Sequence, residues 1–171
     1  MFAEGDWIVY NHTGVCCVAA VGPLPKGKCA AADTGRDYYT LAPFHSRETI
    51  YIPVDSPVFM RPVISRQEAE DLLSRVENLD APACITRDLK QLREYYAKFL
   101  RSHTCKDLVR LIRSVNAKNR KLEARGGHPR KIDQDYQKRA EELLYAELSK
   151  ALCQPYDQVA RRIEQQIRHT S

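Results

Sequence analysis

The spacing of apolar residues changes once along this chain, near residue 65, and that change divides it into two kinds of structure. Up to about residue 60, apolar and polar side chains alternate in short runs, the period of half-buried strands. From Ser65 onward the apolar residues recur every three or four positions, the period of helices. Strands followed by helices predict an α+β chain, because a parallel α/β sheet would interleave the two. The expected boundary lies at 61–65, with domains over 1–62 and 63–171.

The first domain is expected to be a small SH3- or Tudor-like β-barrel of short strands. "DWIVYNH" is rich in β-formers, with Ile8 and Tyr10 on one face and Trp7 and Val9 on the other. Asn11 to Gly14 reads as a turn, since Asn and Gly both tolerate positive φ. "VCCVAAV" returns as the second strand, Gly22 to Asp37 forms a long loop, and "YYTLAP" and "ETIYIPV" supply two further strands.

The second domain is expected to be all-α, with four to five helices. Ser65 followed by Glu68 spells a capping box, and Ala69, Leu72, Leu73 and Val76 make one stripe. A second helix is expected to begin near Thr86, with Leu89, Leu92, Tyr96, Phe99 and Leu100 inward. A third follows Thr104 as N-cap and buries Leu108, Leu111, Ile112 and Val115. "RGGHPR" interrupts the pattern; a fourth helix then uses Tyr136, Ala140, Leu143, Leu144 and Leu148. A fifth opens at Pro155 with Val159, Ile163 and Ile167.

Charge divides in the same way. Residues 1–60 hold four Lys/Arg against six acids, a net −2, so the remainder carries +7 of the formal +5. Between Pro82 and Lys131 there are 14 basic residues and four acids, a net +10. A block of that sign on a folded segment is a candidate polyanion surface.

Catalytic chemistry finds little footing. No Walker loop, GxGxxG or GxSxG occurs. Cys16, Cys17 and His12 raise the possibility of a thiol- or metal-dependent enzyme. However, adjacent strand residues point to opposite faces, so the two thiols do not converge on one metal. The six cysteines (16, 17, 29, 84, 105 and 153) contain no C-x-x-C pair and read as free thiols in a reducing compartment. His45, Arg47 and Glu48 are neighbours on a loop that point apart, and His103 and His128 read as caps or surface residues. The expectation is no enzyme, no metal and no cofactor. No apolar run reaches the length of a membrane span, and Glu4 and Asp6 stand where a signal peptide would be basic and then apolar. A cytoplasmic protein is expected.

The residues "GDWIVYNHTGVCCVAAV", "YYTLAPFHSRETIYIPVD" and "MRPVIS" resemble the N-terminal module of the CarD/CdnL family of bacterial transcription regulators, shared with the transcription-repair coupling factor. "LVRLIRSV" and "QKRAEELLYAEL" are similar to that family's helical domain, so the resemblance spans roughly residues 3–167. It implies a monomeric, nucleoid-associated adaptor. The barrel would bind the β subunit of RNA polymerase, the helical domain would contact promoter DNA, and open-complex stability would change. By the same resemblance the polymerase-facing strand is "RETIYIP", with Arg47, Glu48, Thr49, Tyr51 and Pro53 as contacts through strand addition. The family's wedge position, which props open a base step from the minor groove, falls on Leu92. Arg87, Lys90, Arg93, Lys98, Arg101, Lys118, Arg120, Lys121 and Arg125 are the expected phosphate contacts, which position a protein without reading sequence. The alternative implied is a polymerase-binding adaptor whose helical domain holds a protein partner instead of DNA.

Overall fold

A computed structural model of the chain describes residues 1–25, 27 and 35–169, with only the backbone of His169. Lys26, Lys28, Cys29 and most of the loop expected between Gly22 and Asp37 lie outside the described residues. The chain divides into two compact units, Met1–Val63 and Ile64–Ser171.

The first unit is one antiparallel sheet of β1 (Trp7–Tyr10), β2 (Gly14–Gly22), β3 (Tyr38–Pro43), β4 (Ile50–Pro53) and β5 (Met60–Pro62), in the order β4-β3-β2-β1-β5. The β1–β2 hairpin forms as its turn residues dictate: Asn11 has φ 40 and Gly14 φ 90, and Tyr10 pairs with Gly14 across it. Val18 and Ala20 bracket a register shift in β2, which adds local twist. Among the described residues the sheet does not close into a ring and has two edges, β4 and β5. Both are short and end in proline, whose missing N–H limits how far a further ladder can run.

One face of the sheet buries Ile8, Cys16, Val18, Tyr39, Leu41 and Ile52. Burial of each large aliphatic contributes about 1.5–3 kcal/mol before entropy is counted. Tyr39 stays satisfied there because its hydroxyl accepts from the Phe2 N–H at 3.0 Å. Val9 and Val15, directly paired, are buried on the opposite face, where Trp7 packs edge-on against Phe44 with ring centres 6.4 Å apart.

The second unit contains α1 (Arg66–Arg75), a 3-10 turn at Val76–Asn78, α2 (Leu89–Arg101), α3 (Cys105–Glu123), α4 (Lys131–Leu152) and α5 (Tyr156–His169). The capping box at α1 is complete: Ser65 Oγ accepts from the Glu68 N–H at 3.2 Å, and the Glu68 carboxylate accepts from the Ser65 N–H at 2.7 Å. Thr104 caps α3 by accepting from the Asp107 N–H. Helix α2 starts later than its periodicity suggests. Asp88 takes the N-cap position and accepts from Lys90 and Gln91, so the chain from Thr86 to Asp88 stays outside the helix.

The helical core joins Leu92 and Tyr96 of α2, Leu108, Leu111, Ile112 and Val115 of α3, Ala140, Leu144 and Leu148 of α4, and Val159, Ile163 and Ile167 of α5. Leu89, expected inward, is 50% exposed. It occupies the first residue of α2, ahead of the turn that meets the core. Beneath α2 sits a buried polar network. Asp133 Oδ1 accepts from the Tyr96 hydroxyl at 2.6 Å and from Lys118 Nζ at 2.8 Å, and the Tyr96 ring lies tilted at 45° to that of Tyr136, centres 5.2 Å apart. Burial, and then the bond to Asp133, push the Tyr96 phenol far above its ordinary range, so it remains a neutral donor. Among the described residues no helix is long and apolar enough to cross a membrane.

Candidate functional site

Two surfaces answer to the sequence-derived residues, one in each unit. In the sheet, β4 bonds to β3 on one side, with Thr40 opposite Tyr51 and Leu41 opposite Ile50. Its other side is a sheet edge. Alternate residues of such an edge point backbone N–H and C=O groups outward, a template for an added strand. The expected seven-residue strand Arg47–Pro53 is shorter than predicted. Only Ile50–Pro53 is strand, and Arg47, Glu48 and Thr49 form an exposed irregular approach to it. The reason is local: the Glu48 N–H donates to Ser46 Oγ at 3.1 Å, a side-chain turn that competes with extended pairing. Tyr51 and Pro53 are half-buried, while Ile50 and Ile52 pack into the core. The edge thus presents a charged, polar lead-in followed by an aromatic.

In the helical unit the expected cations separate into three groups. At about 100° per residue, Lys90, Lys98 and Arg101 share the face of α2 opposite Leu92 and Tyr96, with Arg93 on its flank, all four exposed. Their face carries one acid, Glu94. Arg87 precedes the helix and comes together with Lys121 and Arg125 of the α3 C-terminus around one cavity. Arg120 faces elsewhere. It is half-buried, donates to the Arg168 carbonyl at 3.5 Å, and lines the cleft between α3, α4 and α5.

Two expected residues are corrected. Leu92 is fully buried in the helical core, because it lies on the same α2 stripe as Tyr96, and it has no exposed surface with which to wedge a base step. Lys118 is 5% exposed and ion-paired to Asp133, so its charge is spent inside the fold. Sequence reasoning also missed three exposed groups. Ile85 is 74% exposed and Leu89 50% exposed, an apolar pair flanking Arg87 and Asp88. Arg130, in the break before α4, donates to the Thr86 carbonyl at 3.2 Å and reaches the same cavity as Arg87. No local signal marked Ile85 as exposed, since apolar residues ahead of a helix usually pack back onto it.

The two adjacent cysteines of the sequence face opposite sides of the sheet. Cys16 pairs with Ile8 and Pro43 on the core face, whereas Cys17 pairs with Trp7 and Ala42. Burial, with the neighbouring Cys17 thiol adding, pushes the Cys16 thiol up to about 12, far from the thiolate a nucleophile or ligand requires. Among the described residues no group of three or more His, Cys, Asp and Glu is placed to hold a metal ion.

Residues 2–64 match the family model of the CarD-like/TRCF RID domain. No curated protein matches the chain. The match covers all of the β unit but Met1 and stops at the start of the helical one. This is a domain of the RNA polymerase-interacting kind, a class that acts by association.

Proposed function

We propose, for a chain whose N-terminal unit is a CarD-like RNA polymerase-interacting domain, that the protein bridges RNA polymerase and promoter DNA and thereby changes open-complex stability. The single observation that carries the reading is the family match over the sheet in which β4 ends the strand order among the described residues. In this reading the polymerase β subunit pairs with β4, and Arg47, Glu48, Thr49, Tyr51 and Pro53 flank the new strand. The protein works in the cytoplasm, at the nucleoid, as a monomer without a cofactor or catalytic step.

The DNA half rests on charge. Arg87, Lys90, Arg93, Lys98, Arg101, Lys121 and Arg125 are exposed, and none is ion-paired among the described residues. Solvent-exposed cations of this density meet phosphates without reading bases. Ile85 and Leu89, apolar and exposed between them, replace Leu92 as the groups able to enter a widened minor groove. The same apolar pair supports a second reading, in which the helical unit holds a protein partner.

The test uses the full chain. Purified from its native cell, it brings RNA polymerase with it; Arg47→Glu and Tyr51→Ala each abolish that co-purification while the far-UV circular dichroism is unchanged. Retained polymerase in both variants means a different strand makes the contact. Binding to a promoter duplex then falls with salt at a log–log slope of about −0.9 per phosphate met. A flat response with a protein retained on the helical unit favours the second reading.

A further inference from the structure

The cavity that gathers Arg87, Lys121 and Arg125 has a charge density unlike an ordinary nucleic-acid track. Its volume is about 420 Å³, and its lining contributes five cations: those three with Lys118 and Arg130. Among the described residues that line it there is no acid. Lys118 is neutralised by Asp133, which leaves four formal positive charges facing one small space. Like charges gathered this closely repel each other unless a counter-charge fills the space between them.

The walls are held in place. Arg125 sits in the turn that ends α3, where its own N–H and that of Gly127 both donate to the Leu122 carbonyl at 3.0 and 2.9 Å. Gly126 takes φ 75, and a Cβ on Gly127 would lie 3.2 Å from that same carbonyl. Arg130 is fixed from the other side by its bond to Thr86. It is also the N-cap residue of α4, a 22-residue helix whose cap makes no side-chain hydrogen bond, so the positive end of the helix macrodipole adds to the potential there. Ile85 and Leu122 supply an apolar wall beside the cations.

We infer that this cavity binds clustered phosphates, a triphosphate group carried either by a nucleoside or as inorganic polyphosphate. The inference rests on the premise above that these cations meet phosphate, and sharpens which phosphate. A DNA strand delivers about one negative charge per 3.4 Å of rise along its axis, and its convex backbone brings one phosphodiester at a time into a concave site. Such a group balances one of the four charges. A triphosphate brings three to four charges into the same space and matches them, and its oxygens suit the forked donors of Arg87, Arg125 and Arg130. A cavity of this volume falls within the range that encloses a small ligand.

The experiment titrates the full chain calorimetrically with inorganic tripolyphosphate, ATP and inorganic phosphate, at fixed ionic strength without divalent cations. Tripolyphosphate binds at least about tenfold more tightly than phosphate, and the Lys121→Ala/Arg125→Ala variant loses that preference. Lys98→Ala, on the outer face of α2, keeps it. ATP tighter than tripolyphosphate assigns the apolar wall to a nucleoside; equal affinities assign the site to inorganic polyphosphate. Tripolyphosphate no tighter than phosphate, or a preference untouched by the double variant, overturns the inference. Duplex binding by the same proteins separates the two claims. A chain that binds duplex without preferring tripolyphosphate keeps the DNA reading and loses this one; the opposite pattern does the reverse.

Discussion

Lys118 lies within the basic segment but inside the fold, so its replacement distinguishes a structural cation from a binding one. Its Nζ is 2.8 Å from Asp133 Oδ1, with Lys118 5% and Asp133 0% exposed. At an effective dielectric of about 20 the gross attraction at that distance is about 6 kcal/mol. Desolvation of two buried ions costs several kcal/mol each, so the pair as a whole contributes little net stability. Removing one partner is different. Lys118→Met leaves a buried carboxylate with one remaining donor, Tyr96, and its Oδ2 already lacks a hydrogen-bond partner. The expected loss is about 3–5 kcal/mol, from a unit whose total stability is on the order of 5–15 kcal/mol. Urea unfolding followed by far-UV circular dichroism reads it as a lower midpoint at unchanged slope. Lys118→Met/Asp133→Leu, which removes both charges, recovers most of the loss. Salt dependence of duplex binding, measured well below the unfolding midpoint, keeps the wild-type slope. A variant of undiminished stability whose log–log slope falls by about one unit would refute the structural assignment, and would show that Lys118 leaves Asp133 to meet a phosphate.

Two neighbouring apolar positions invert the usual relation between stability and binding. Leu92→Ala opens the helical core and costs about 2–5 kcal/mol in urea unfolding, whereas Ile85→Ala changes stability by less than about 0.5 kcal/mol and instead weakens the promoter complex in a footprinting assay; equal effects of the two on stability would contradict the burial assigned here. Cys16 gives the sheet a pH signature. Its thiol titrates near 9.0 when unfolded and at about 12 when folded, so above pH 9 the unfolded chain binds fewer protons than the folded one and stability declines as pH rises toward 12. At pH 10 the loss from this group is about 1 kcal/mol, measured as the difference between wild type and Cys16→Val in urea unfolding across pH 8–10; parallel pH profiles would mean the thiol ionises freely in the fold.

The elements were legible where a local signal and the long-range packing agree. Asn11 and Gly14 ask for positive φ and receive it in the β1–β2 turn; Ser65 and Glu68 cap α1 as their spacing demands. The α3 and α5 stripes are buried at the positions their period marks. The sheet's closure was not legible, because whether a fifth short strand joins a fourth depends on pairing between residues far apart in sequence, and proline at the ends of β4 and β5 limits both. The site was harder for a related reason. Helical periodicity states which face of α2 is apolar, and it states correctly that Leu92 lies there; a role at the surface for that residue contradicts the same stripe that makes it core. Charge counts fail in the mirror sense. Fourteen Lys and Arg between 82 and 131 read as one basic block. Folding nonetheless assigns Lys118 to Asp133, Arg113 to the carbonyls of Val76 and Leu79, and Arg110 to Asp107. What remains exposed is smaller but more concentrated than the count implies, since residues 87, 121, 125 and 130 are brought around one cavity by a helix end and two caps. No spacing rule along the chain joins those four, because their proximity is a product of how α3 and α4 pack, and that is the level at which the basic surface of this protein is specified.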